Sequence, residues 1–135
     1  MQCFFPLDQE DRYSSAFLAY DLGAGVGEEV SKKRNDRIKF FYPSLNTGGN
    51  YNVTTGEYTC PVNGIYFFSL TLGSSFRINA RIGTGNGYLL EIDRSDGSDD
   101  EFVDHITVSS SAIYSCTIGE TIFVEAAHDT TLMNY

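Results

Sequence analysis

The sequence predicts an all-β fold, an antiparallel jelly-roll β-sandwich, from three observations. Aromatic residues are frequent, with 10 Phe and 9 Tyr beside 13 Gly and only 3 Pro in 135 residues, a mixture that favours strands and tight turns. Apolar residues alternate with period two in several segments, and no window of about 11 residues carries a helical period. Short strand-like runs recur between turn residues, the spacing of a sandwich or jelly roll. Apolar residues at 41% and charged residues at 20% supply one core. No apolar run approaches the ~20 residues of a helical membrane span.

Residues 1–13 are polar and irregular and read as a loose lead-in to a domain over 14–135. Met1 to Asp8 lacks the basic start and the long apolar run of a secretory signal. Ala16 to Tyr20 reads as a short strand. Gly23, Gly25 and Gly27 then lead into Glu28 to Lys39, a loop by composition, with Lys32-Lys33-Arg34 on its solvated side. Arg37 to Tyr42 reads as a strand entering the core, and Pro43 to Asn50 must turn through Gly48-Gly49.

Tyr58 to Cys60 and Ile65 to Leu72 read as strands around a Pro61-Val62-Asn63-Gly64 turn. In the second, Tyr66, Phe68, Leu70 and Leu72 point one way and Ile65, Phe67, Ser69 and Thr71 the other. Bulky apolar groups on both faces imply that one face packs in the core and the other meets another subunit. Residues 76–92 hold two strand segments around Gly83 to Gly87, and Asp93 to Asp104 is an acidic loop. Ile106 to Ile118 alternates with Ile106, Val108, Ala112, Tyr114, Cys116 and Ile118 on one face and Ser and Thr on the other, a long half-buried strand. Thr121 to Ala127 is a further strand.

The net charge of −9 is uneven. All nine Lys and Arg lie in residues 1–94, whose net charge is −1, and residues 95–135 carry −8. That balance argues against a nucleic-acid binder, which needs cations for phosphate, and leaves cations, basic partners or solubility to explain the acidic end. Cys3, Cys60 and Cys116 are odd in number and lack C-x-x-C spacing. A Cys60–Cys116 disulfide and buried free thiols are both open.

Asp96, Asp99, Asp100 and Asp104 are the candidate ligands for calcium, a cation that takes closely spaced carboxylate oxygens beside a Gly turn. Their spacing is not that of an EF-hand, and a solvated acidic loop is the simpler reading. Gly83-Thr84-Gly85-Asn86-Gly87 precedes no helix and gives no nucleotide site. Ser109-Ser110-Ser111, Asp104, His105 and His128 have no nucleophile-elbow context, so a hydrolase is a poor alternative.

Residues 46–68 contain Asn46, Gly48, Tyr51, Thr55-Gly56, Tyr58, Cys60-Pro61, Gly64, Tyr66 and Phe68 in the order N-x-G-x-x-Y-x-x-x-T-G-x-(F/Y)-x-C-P-x-x-G-x-Y-x-F. The segment closely resembles the signature of the C1q globular domain, in the C1q/tumour-necrosis-factor superfamily. Ala16-Phe17-Leu18-Ala19 is similar to the family's A-F-x-A opening strand. Gly119-Glu120-Thr121-Ile122-Phe123-Val124 is similar to its G-D-x-V-W-V strand, with Glu120 and Phe123 substituted. The resemblance covers about residues 14–128. The signature residues, with Gly49 beside them, build turns and large burial and are not themselves a ligand site.

The resemblance implies a ten-strand-type jelly roll that associates as a homotrimer and is secreted. It implies a non-enzymatic head that binds protein, carbohydrate or pathogen-surface ligands, and it permits calcium. Phe17, Tyr66, Phe68 and Phe123 are the residues expected at the trimer axis or core. A receptor-binding head of the tumour-necrosis-factor kind, with the receptor between subunits, is the alternative. The family closes with an F-S-G-x-L strand lying centrally between the first strand and a middle one. The sequence up to Tyr135 has no such motif, which reads as a chain stopping before that strand, and not as one in which residues 130–135 imitate it.

Overall fold

The computed structural model describes residues 1–4, 15–94 and 106–134. Its strands are β1 (Gln2–Phe4), β2 (Ala16–Tyr20), β3 (Glu29–Lys32), β4 (Arg37–Ile38), β5 (Tyr42–Asn46), β6 (Tyr51–Asn52), β7 (Glu57–Thr59), β8 (Gly64–Ser74), β9 (Ile78–Thr84), β10 (Gly87–Arg94), β11 (Ile106–Cys116), β12 (Thr121–Ala126) and β13 (Thr130–Met133). A single 3-10 turn at Thr47–Gly49 is the one helical element among the described residues. No helix there is long and apolar enough to cross a membrane.

The strands form two antiparallel sheets of a jelly-roll sandwich. The first has the order β11-β8-β1-β2-β5 and the second β10-β9-β12-β7-β6, with β4 paired to β12. β13 and β3 make a separate pair. The long β8 and β11 run side by side over their full length, from Ile106 opposite Ser74 to Cys116 opposite Gly64. The alternation read in β8 is realised: Tyr66, Phe68 and Leu70 are fully buried, whereas Ile65, Phe67 and Thr71 are exposed.

The core lies between the sheets and is built around stacked rings. Phe17 stacks on Tyr51 at 4.9 Å and on Tyr58 at 4.7 Å between centroids. Each buried phenol finds a partner, as burial of a polar tip requires. Tyr58 shares a 2.6 Å hydrogen bond with Ser15, and Tyr51 donates its hydroxyl to the Phe40 carbonyl and accepts from the Phe40 N–H. The Asn46 side chain brackets the Tyr51 backbone, donating to its carbonyl at 2.8 Å and accepting its N–H at 3.0 Å. Asn46 and Tyr51 of the sequence signature are thus one structural unit. Gly56 turns with φ of 73°, where a Cβ would also lie 2.9 Å from Lys39 Cγ.

Several expectations are corrected. Within the stretch read as a loop, Glu29–Lys32 form β3; their pairing with β13 needs only backbone and leaves Glu29 and Ser31 exposed, so no apolar pattern marks it. Arg37 to Tyr42 is not one strand but β4 and the start of β5. Pro43 lies in β5, at the edge of its sheet, where a missing N–H is tolerated. β11 ends at Cys116, so Ile118 falls in the turn and is exposed.

The N-terminal segment differs most. Gln2–Phe4 form β1 in the middle of the first sheet, antiparallel to β2 and β8 at once. The lead-in read as loose thus begins with a strand held on both edges. Of the segment 130–135, Thr130–Met133 do not take that central place: they pair with β3.

Candidate functional site

The alternation of β8 and β11 gives the first sheet an outward face with a particular chemistry. Ile113 lies opposite Phe67, and Ser115 opposite Ile65. All four are exposed, with Ile113 at 74% and Ile65 at 47%. At the other edge Tyr20, Tyr42 and Leu45 are about half exposed. Tyr20 and Tyr42 lie opposite each other, with ring centroids 4.9 Å apart. Farther along β8 and β11 from Phe67 and Ile113 run Ser69, Thr71, Ser109 and Ser111, and Thr71 and Ser109 share a 2.8 Å hydroxyl contact. An apolar patch with a small polar seam is the surface of an interface more than of a wet sheet face.

The outward face of the second sheet is built differently. Arg37 lies 3.8 Å over the Phe123 ring and pairs with Glu57 at 2.9 Å. Arg81 lies 3.9 Å over Tyr88, pairs with Glu125 at 2.8 Å and donates to Asn35. The cations and rings of this face therefore satisfy one another.

A third feature lies within the first sheet. β8 continues past its last pair with β1, at Ser69, for five more residues, Leu70–Ser74. Beyond Met1 the space between that stretch and the end of β2 is a cavity of about 600 Å³, lined in part by Tyr20, Asp21, Phe40, Thr71, Leu72 and Gly73. Its β2 wall is fixed by Asn134, which accepts from the Leu22 N–H at 3.0 Å and donates to the Asp21 carboxylate at 3.0 Å and to the Ala24 carbonyl at 2.6 Å.

The residues singled out in the sequence are distributed as follows. Phe17, Tyr51, Tyr58, Cys60, Tyr66 and Phe68 are buried in the core. Pro61 and Gly64 line the turn into β8, Gly49 and Gly119 sit in exposed turns, and Gly56 is buried. Phe123 is half-buried on the second sheet, away from the Ile65–Ile113 patch. Cys60 and Cys116 are joined by a disulfide, with Cα atoms 6.3 Å apart, which settles the alternative left open.

Asp96, Asp99, Asp100 and Asp104 lie outside the described residues, as does His105. Among the described residues no cluster of three metal-binding side chains exists. Ser109 and Ser111 lie on the exposed face of β11, and His128 is exposed in the turn before β13. Ile113, Tyr20, Tyr42 and Leu45 were not anticipated. For Ile113 the signal was present: it is an apolar residue in phase with Ser111 and Ser115.

A sequence profile of the C1q domain matches residues 23–134. Complement C1q tumor necrosis factor-related protein 2 of Mus musculus is 28% identical over 90 residues, which cover 65% of this chain and 29% of that protein. Among solved structures, the globular domain of zebrafish complement 1qA protein matches with a TM-score of 0.53 at 17% identity, over 78% of this chain and 91% of that one. That likeness is one of fold.

Proposed function

This chain belongs to the C1q domain family, and from that premise we propose that it is a secreted homotrimeric recognition head that binds protein or carbohydrate ligands, including those of pathogen surfaces. The chain is a C1q/tumour-necrosis-factor-like module, of a kind that is generally non-enzymatic.

The observation that carries the trimer is the outward face of the first sheet. Ile65 and Ile113 are exposed side chains on paired neighbouring strands, on a sheet already packed on its inner side. Covering them with a second and third copy removes apolar surface from water at about 25 cal/mol per Å². The Cys60–Cys116 disulfide supports an oxidising, extracellular setting. The deficit of Lys and Arg beyond residue 94 supports protein or carbohydrate partners over nucleic acid.

Sedimentation of the purified chain tests the assembly. A trimer is expected, and Ile113→Asp should shift it to a folded monomer with unchanged circular dichroism. A wild-type monomer at every concentration would remove the trimer from this reading. Binding to immobilised glycans and to microbial surfaces, with and without EDTA, tests the ligand class and the calcium expectation together. Binding of a receptor in the groove between subunits would favour the signalling alternative.

A further inference from the structure

The turn between β6 and β7 holds a triplet that the fold does not fully explain. Asn52-Val53-Thr54 is the only Asn-x-Ser/Thr triplet in the 135 residues. It occupies the three open positions of the signature, between Tyr51 and Thr55-Gly56. Asn52 and Thr54 are exposed, and Val53 between them packs against the core. The Asn52 carboxamide oxygen accepts the Thr54 N–H at 2.9 Å and the Thr55 N–H at 3.4 Å. Two N–H donors on one atom fix which atom is oxygen, so Nδ2 is the one left to solvent. Neither Asn52 Nδ2 nor the Thr54 hydroxyl makes a hydrogen bond among the described residues. The hydroxyl that serves the turn is that of Thr55, which accepts the Glu57 N–H at 3.3 Å. Asn52 thus has a structural duty for its oxygen and none for its nitrogen, and Thr54 has none for its hydroxyl.

We propose that Asn52 is an acceptor for an N-linked oligosaccharide. The proposal rests on the reading of the chain as secreted, because the transfer takes place in the secretory pathway. The donor is an oligosaccharide on a lipid diphosphate. Asn52 Nδ2 bonds to C1 of the reducing-end sugar, the bond from C1 to the diphosphate oxygen breaks with its electron pair leaving on the diphosphate, and Nδ2 gives up one proton. The place in the fold suits a large substituent. Tyr51 points inward at 3% exposure, so its neighbour Asn52 points out. Asn52 lies opposite Glu57, the partner of Arg37, on the outward face of the second sheet. The Ile65–Ile113 patch belongs to the first sheet, so sugar and subunit contact fall on opposite faces of the sandwich. β6 is also the outermost strand of its sheet, and a glycan there keeps foreign strands from that edge. Access during synthesis is favourable too: the Cys60 disulfide waits for Cys116, 56 residues later.

The full chain, behind a supplied secretory signal, is collected from the medium of cultured animal cells and weighed intact. The mass of one N-linked glycan is expected, removable by peptide N-glycosidase, with Asp left in place of Asn52 in the released peptide. Thr54→Ala and Asn52→Asp should each abolish it, the second while keeping the oxygen that accepts the turn N–H groups, and Thr54→Ser should keep it. Circular dichroism of all three should match wild type. A glycan mass that survives Thr54→Ala overturns the proposal. So does an unmodified chain in the medium, which would leave the secretion reading standing because entry was supplied. A modified chain whose natural full-length gene product stays inside the cell would support Asn52 as acceptor and remove the secretion reading instead.

Discussion

The guanidinium carbon of Arg37 lies 3.8 Å from the centroid of the Phe123 ring, and that ring in turn packs against Gly83. A Cβ built on Gly83 would sit 2.7 Å from Phe123 Cε2, so the bare backbone of β9 is what leaves room for the ring in this place beside the cation. A double-mutant cycle of Arg37→Met and Phe123→Leu should return a coupling of about 0.5–1 kcal/mol. Gly83→Ala should lift the ring and destabilise the chain by about 1–3 kcal/mol, as overpacking does. Denaturant unfolding of these variants measures both, and additive single mutants would refute the coupling.

The Cys60–Cys116 disulfide closes a loop of 56 residues in sequence. Restriction of the unfolded chain by a loop of that length corresponds to about 4 kcal/mol. The Cys60→Ala, Cys116→Ala double variant should lose about 2–5 kcal/mol in urea unfolding. Equal stability with and without reductant would show that the bond does not hold the domain.

Tyr114 donates its hydroxyl to the Glu120 carboxylate, which also accepts the Thr117 N–H at 3.2 Å. This hydrogen bond, with some help from burial, raises the tyrosine above its ordinary pKa of 10.0. The folded state therefore keeps a proton that the unfolded state gives up. The stabilisation is complete below pH 10 and is lost as the pH climbs through the raised folded value. Tyr114→Phe should cost about 1 kcal/mol near neutrality, and the gap between variant and wild type should close above pH 10. A gap that stays constant with pH would sink this account.

Asn46 makes two hydrogen bonds to the backbone of Tyr51. Asn46→Ala strands the Tyr51 N–H and carbonyl at a buried residue and should cost about 1–3 kcal/mol. Thermal unfolding checks it, and a loss within about 0.5 kcal/mol, the usual range of a surface substitution, would mean that water replaces the side chain.

How far the sequence could be read depended on what held each element. β2, β8, β11 and β12 bury alternate side chains, and their residues carried the pattern to within a residue or two at each end. The motif around Asn46, Tyr51 and Tyr58 carried the fold family, because those residues solve local problems of turn and buried phenol in a recognisable order. β3 and β1 were missed because backbone pairing holds them. Neighbours far away in the chain decide that pairing, and no alternation announces it. The apolar patch was half legible: Ile65 and Phe67 stood out against Tyr66 and Phe68, whereas Ile113 was lost among serines until the register set it opposite Phe67.

The central place of β1 also bears on the order of assembly. β2 and β5 can pair soon after they are made, but β1 meets β8 only when residues more than sixty positions later have been synthesised. At about 5–20 residues per second that is a wait of several seconds on the ribosome, during which β1 can pair with β2 but its other edge has no partner. Such long-range closure is slow. The nascent chain passes through a stage in which the β8-facing edge of β1 is exposed, and a chaperone that shields extended backbone would have its largest effect then.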